Sequence, residues 1–149
     1  MNPFLMSPDE QLSEWKLLRE EIKTLDDATA LQRVADYWSR APLDKMAYDP
    51  EDQNEWPSPW EMIMAHSWCP YSVAIGMEFT LRLGGWNPDR MKLKLIRDYD
   101  ICDQRMVLVV DDKLVLNYIV GDVEEYPQTK HDVLMSYQHD GKRYLTVAK

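Results

Sequence analysis

The sequence has little of what a metal site, a disulfide framework or a membrane segment requires. Its 149 residues include only two cysteines, Cys69 and Cys102, and they do not form a Cys-x-x-Cys pair. The three histidines, His66, His131 and His139, are too scattered for a standard zinc motif. No stretch approaches the roughly 20 apolar residues of a membrane helix. We therefore expect no structural metal, no cofactor and no disulfide framework.

Basic residues are also in short supply. Lysine and arginine number 17 against 26 aspartates and glutamates, which gives a net charge of −9. Such a chain is poorly suited to a nucleic-acid backbone, where basic side chains must replace condensed counterions. It has no basic amphipathic segment for an anionic membrane surface either. We predict that its partners are other proteins, with no nucleic acid and no membrane.

The first residues lack the charged region and the apolar run of a secretory signal peptide. We therefore expect the chain to be made for a cytoplasm and not to be secreted by a signal peptide. What the sequence does have is a large apolar fraction of 45%, with six tryptophans, eight tyrosines and nine methionines. This composition excludes a disordered acidic tail and predicts one folded domain, residues 1–149.

The first part of the chain shows repeated helix-start signals. Ser7 and Ser58 are each followed by proline and, three residues on, by glutamate, which is the pattern of a capping box. With a further start at 24–27, these signals predict a helical hairpin over residues 8–40 and a short helix over 59–65. Pro70 begins a fourth predicted helix, and the glycine pair 84–85 ends it.

The remaining sequence has the patterns of strands. Residues 91–97 alternate between apolar and polar side chains, 106–110 form an apolar run, and 114–120 follow after a tight turn. A last hairpin is predicted from 133–138 and 143–147. Helices first and strands afterwards predict an α+β fold, with a helical hairpin (1–56, including a polar loop) followed by a cysteine-bearing helix packed on an antiparallel sheet (57–149).

Cys69 is the residue most suited to covalent chemistry. It lies at the predicted N-terminus of the fourth helix, where unpaired N–H groups and the helix dipole favour an anion, so its thiol could act as a nucleophile. The alternative is that Cys69 only packs in the core, as most free cysteines do.

The cysteine helix 69–84 and the pattern Arg105-Met-Val-Leu-Val-Val-Asp-Asp-Lys-Leu-Val-Leu-Asn117 resemble the transglutaminase-like cysteine peptidases. The resemblance covers roughly residues 57–149 and implies a papain-like core. It implies that the cysteine is the nucleophile, that a histidine on one strand is its base, and that Asn117 orients that base. At the histidine position this sequence has Arg105, or Gln104 if the register slips by one.

A guanidinium remains protonated in proteins, so Arg105 cannot take a proton from Cys69. The resemblance therefore favours a degenerate, non-enzymatic site. The alternative is an active cysteine peptidase or transglutaminase-type amide hydrolase or transferase with Cys69 as nucleophile, Asn117 as orienting group and His66 as an unusual base. A third reading of the acidic charge is an inhibitor or mimic that binds a basic partner.

A second resemblance concerns the whole arrangement of segments. The acidic helical hairpin, the block Trp-Pro-Ser-Pro-Trp-Glu-Met-Ile over 56–63, the cysteine helix and the strand ending Leu-Asn-Tyr at 116–118 are similar to small transglutaminase-like proteins of tailed bacteriophages. This implies a structural or assembly protein of a virion, present in the particle or the host cytoplasm. It also implies contacts with phage structural proteins and an oligomeric arrangement within an assembly.

Three tryptophans, Trp56, Trp60 and Trp68, are candidate interface residues, because tryptophan is enriched among the side chains that dominate binding energies. The alternative for Trp56 and Trp60 is that they fill the gap between the helical hairpin and the sheet, and we favour this core role.

Overall fold

The computed structural model describes residues 2–44, 49–100 and 103–149. Cys102 and part of the polar loop lie outside the described residues. Each helix starts where its sequence signal predicts, because the capping groups are in place: Ser7 Oγ accepts a hydrogen bond from the N–H of Glu10 (3.4 Å), and Ser58 Oγ accepts one from Glu61 (3.2 Å). The helices are α1 (Pro8–Ile22), α2 (Asp27–Trp38), α3 (Pro59–Ala65) and α4 (Pro70–Leu83).

The strands form one six-stranded antiparallel sheet in the order β4-β3-β2-β1-β5-β6. This confirms the predicted α+β class. None of the helices among the described residues is long and apolar enough to cross a membrane. The strands are β1 (Met91–Asp98), β2 (Asp103–Val110), β3 (Leu114–Leu116), β4 (Val123–Glu125), β5 (His131–His139) and β6 (Tyr144–Val147).

Two details of the sheet differ from the sequence-based expectation. The third strand was expected to reach residue 120, but it ends at Leu116, because Asn117 takes a left-handed backbone conformation with φ of 68°. Residues Val123–Glu125, which lie outside every predicted strand, pair with β3 as the edge strand β4. Three residues are too few to show a strand pattern in the sequence.

The two faces of the sheet carry different clusters of side chains. Successive residues of a strand point to opposite faces, so the register separates the clusters cleanly. Leu93, Leu95, Met106 and Leu108 belong to the main core with the helices, and α4 packs across β2 on this face. A smaller cluster covers the other face of the sheet and consists of Ile96, Val107, Val109 and Val115, with Tyr118, Tyr126 and Val133 packed against it.

A single hydroxyl joins the helical hairpin to α4. Thr80 Oγ1 accepts hydrogen bonds from the indole nitrogens of Trp15 (2.9 Å) and Trp38 (3.0 Å), and it donates one to the carbonyl of Gly76 (2.6 Å). Thr80 and both tryptophans are buried. At Gly76 a Cβ would lie 2.5 Å from the Trp38 ring, so only glycine allows the ring to approach this closely.

We expect Thr80→Val to destabilise the fold by about 2–4 kcal/mol, because two buried indole N–H groups lose their acceptor while the side-chain volume is kept. Thr80→Ser is the matched control. It keeps the hydroxyl and loses one methyl group, so it should cost only about 1 kcal/mol. Urea unfolding followed by tryptophan fluorescence measures both. Equal losses in the two variants would contradict the role given to the hydroxyl.

Candidate site at the start of the cysteine helix

Cys69 is the N-cap residue of α4, as predicted, and its side chain is 5% exposed. Its main chain is tied to Ser72 in the first turn. The N–H of Cys69 donates to Ser72 Oγ (2.8 Å), and the same hydroxyl donates to the carbonyl of Cys69 (3.0 Å). The backbone donor next to the thiol is therefore already engaged within the chain.

A cleft of about 410 Å³ lies in front of this helix start. Its walls come from the end of α2 and the following residues, the first turn of α4, the start of β2 and the segment after β3. The lining residues are Trp38, Ser39, Ala41, Leu43, Asp44, Pro70, Tyr71, Val73, Asp103, Gln104, Arg105, Asn117 and Val120. The cleft is thus partly apolar, and Cys69 adjoins it through Pro70.

The register of the sheet decides which residue of β2 faces the cysteine helix. Arg105 pairs with Ile96, a member of the cluster on the far face, whereas its neighbour Met106 belongs to the core under the helices. The guanidinium of Arg105 accordingly donates to the carbonyl of Tyr118 and lies over the Tyr118 ring, with 5.8 Å between the guanidinium carbon and the ring centroid. By the same alternation Gln104 is on the helix side.

The structure therefore corrects the expectation for Arg105. Arg105 is a lining residue of the cleft, but the strand pleat directs its charged group to the opposite face of the sheet from α4. On β2 the side chain on the same face as the cysteine helix is that of Gln104. A glutamine amide is neutral at all ordinary pH values and cannot accept a proton from a thiol.

Asn117 is held beside the start of α4. Its left-handed conformation, which asparagine tolerates better than most residues, turns the side chain out of the strand pattern. The amide nitrogen Nδ2 donates to the carbonyls of Met106 (2.9 Å) and Pro70 (3.4 Å). Asn117 thus links β2 to the residue after Cys69, and its donor group is used by main-chain oxygens rather than by an imidazole.

The histidines have other surroundings. His66, the C-cap residue of α3, is exposed, and its ring contacts Trp68 with 4.7 Å between centroids. His131 Nε2 lies 2.9 Å from the hydroxyl of Tyr126 on the far face. His139 is buried beside Tyr144, and burial lowers its pKa. None of the contacts found within the described ranges joins a histidine to Cys69.

Tyr71, in the first turn of α4, is a member of the site that the sequence did not reveal. Burial raises its pKa, and the electrostatic effects of Asp103 and Cys69 raise it further. Tyr71 is therefore a neutral phenol within electrostatic reach of Cys69, and a neutral phenol is not a base at ordinary pH. Ser72 was also missed, although it follows its cap residue by three positions, as Glu10 and Glu61 follow theirs.

Metal ligands do not gather at this cleft or elsewhere in the described parts of the chain. No group of three or more histidine, cysteine, aspartate or glutamate side chains there is arranged to hold a metal ion.

The three candidate interface tryptophans have different positions. Trp68 is fully buried, so its assignment to an interface is wrong, because its ring is enclosed in the core. Trp56 is half-buried and packs edge-on against Tyr137 and Tyr144, as the core alternative predicts. Trp60 is 42% exposed while its ring contacts Trp15, so it alone of the three presents a large surface to solvent.

No family model matches the chain, and no curated protein matches it. Among solved structures it is similar to Legionella pneumophila LapG, with a TM-score of 0.73 at 18% identity over 87% of this chain and 73% of that chain. The calcium-bound form of LapG gives a TM-score of 0.75 at 16% identity over 95% and 81%. LapG is a transglutaminase-like cysteine protease. The likeness shows that this chain has the transglutaminase-like fold.

Alanine is usually less destabilising than glycine in a folded chain, but at residue 117 we expect the glycine variant to be the more stable of the two. Asn117→Gly should cost about 1–2 kcal/mol for the two lost hydrogen bonds. Asn117→Ala should cost about 1 kcal/mol more, because alanine resists a φ of 68°. Urea unfolding of the two variants tests this. An alanine variant as stable as the glycine variant would show that residue 117 is not held in this conformation.

Proposed function

We propose that this protein is a non-enzymatic structural or assembly protein on a degenerate transglutaminase-like fold, which acts through contacts with other proteins. The observation that carries the proposal is the residue of β2 that faces the cysteine helix. That residue is Gln104, an amide, where a cysteine peptidase needs a proton acceptor.

Two further features support loss of catalysis. A general base contributes typically about 10²–10⁴-fold to an enzymatic rate, and Gln104 supplies none of it. Backbone N–H groups that stabilise a developing oxyanion must be free to bind it. The N–H of Cys69 is instead bonded to Ser72 Oγ at 2.8 Å.

The proposed setting is a bacteriophage particle or the host cytoplasm, with phage structural proteins as partners and an oligomeric arrangement in the assembly. The support is the resemblance of the segment order to small phage proteins, together with the acidic charge. Exposed Trp60 and the partly apolar cleft are the surfaces that we propose for these contacts.

The second candidate is an active cysteine peptidase or amide transferase with Cys69 as nucleophile. It is favoured by the place of Cys69 at the start of a 14-residue helix and beside a cleft. It requires His66 to leave the Trp68 ring and reach the thiol as the base.

Alkylation with iodoacetamide near pH 7, followed at the level of individual peptides, separates the two candidates. We expect Cys69 to react no faster than a small-molecule thiol, because its side chain is nearly buried and has no base. Peptide and glutamine-amide substrates should not turn over. Peptide-level detection keeps the reaction of Cys102 apart from that of Cys69.

Cys69→Ala is the control. If the protein acts only through contacts with other proteins, the Cys69→Ala variant should copurify with an assembled particle as the original protein does. Fast and selective alkylation of Cys69, with hydrolysis or amide transfer that disappears in Cys69→Ala, would establish the enzyme instead.

A further inference from the structure

The mouth of the cleft is surrounded by aliphatic side chains that water does not favour. Leu43 and Val120, which both line it, are 52% and 62% exposed. Below them the wall includes Trp38 and Val73. Apolar side chains grouped around a cleft, unlike scattered ones, mark a surface that binds another molecule.

The sheet is incomplete at the same place. Because β3 ends at Leu116, it pairs only with the last three residues of β2, Leu108–Val110. On this side, no strand of the described chain accompanies β2 over residues 103–107, and Asn117 Nδ2 already donates to the carbonyl of Met106 there. The start of β2 also lines the cleft. Extended segments bind to such open strand edges through main-chain hydrogen bonds, with alternate side chains filling pockets.

The charged side chains of the cleft indicate which kind of extended segment would bind there. Asp44 and Asp103 line it, and both are exposed. Arg105 is also a lining residue of the cleft, but its guanidinium donates to the carbonyl of Tyr118 on the far face. The whole chain carries a net charge of −9, so a second copy would be repelled. These charges complement a basic segment of another protein.

We propose that the cleft binds an extended segment of a partner protein in which lysine or arginine alternates with aliphatic side chains. The aliphatic groups contact Leu43 and Val120, and the basic groups pair with Asp44 and Asp103. This inference rests on the proposed function, because the segment is bound and not cleaved.

Fluorescence anisotropy with two labelled nine-residue peptides tests the inference. One peptide alternates lysine with valine, and the other alternates glutamate with valine. We expect the full-length protein to bind the lysine peptide and not the glutamate peptide. Asp44→Asn combined with Asp103→Asn should weaken binding by about fivefold, as expected for two exposed ion pairs. Leu43→Ser combined with Val120→Ser should weaken it as well.

The matched control is Glu14→Gln combined with Glu125→Gln, which changes the net charge equally on surfaces away from the cleft. It should leave the affinity within twofold. Equal weakening by the control, equal binding of the glutamate peptide, or no binding of the lysine peptide would each overturn the inference. Mass spectrometry of the same mixtures tests the proposed function separately. A cleaved peptide or an acyl adduct on Cys69 would overturn that function, while the anisotropy result would still decide what the cleft binds.

Discussion

The hydroxyl of Thr80 is the contact on which the arrangement of the helices depends. It satisfies the indole nitrogens of Trp15 and Trp38 at once and so fixes α1 and α2 against α4. The absence of a side chain at Gly76 lets the Trp38 ring lie against the helix. Trp38 also lines the cleft beside Cys69, so the contact that stabilises the core shapes the wall of the site. Without the Thr80 hydroxyl, the two buried indole nitrogens would lose the acceptor of their hydrogen bonds.

The chemistry of the cleft follows from the pleat of one strand. Neighbouring residues of β2 point to opposite faces, so Arg105 belongs with Ile96 and Gln104 with the helices. The charged group is removed from the cysteine, and the group that replaces it is a neutral amide. At the helix start, the N–H of Cys69 donates its hydrogen bond to Ser72 Oγ. The cysteine at the start of α4 therefore has an occupied main-chain donor and faces a neutral amide on β2.

The sequence was informative where local rules are strong. The Ser-Pro-x-Glu caps placed the starts of α1 and α3, and the cysteine at the start of α4 was correctly located. The α+β class and the β2–β3 hairpin were also confirmed. The choice between Gln104 and Arg105 stayed open, because a shift of one residue exchanges the two faces and only the pairing with β1 resolves it. The end of β3 at Leu116 and the edge strand Val123–Glu125 depend on one left-handed residue and on three-residue pairing, which no sequence pattern reveals.

The central claim is that the cysteine helix faces residue 104 of β2 and that a base is missing there. The rate of Cys69 alkylation near pH 7 in Gln104→His and Arg105→His tests it most directly. We expect a histidine at 104 to raise the rate at least about tenfold, since an imidazole would then lie on the side of the thiol. A histidine at 105 should leave it unchanged. Faster alkylation in Arg105→His, or no change in Gln104→His, would show that residue 104 does not face the thiol.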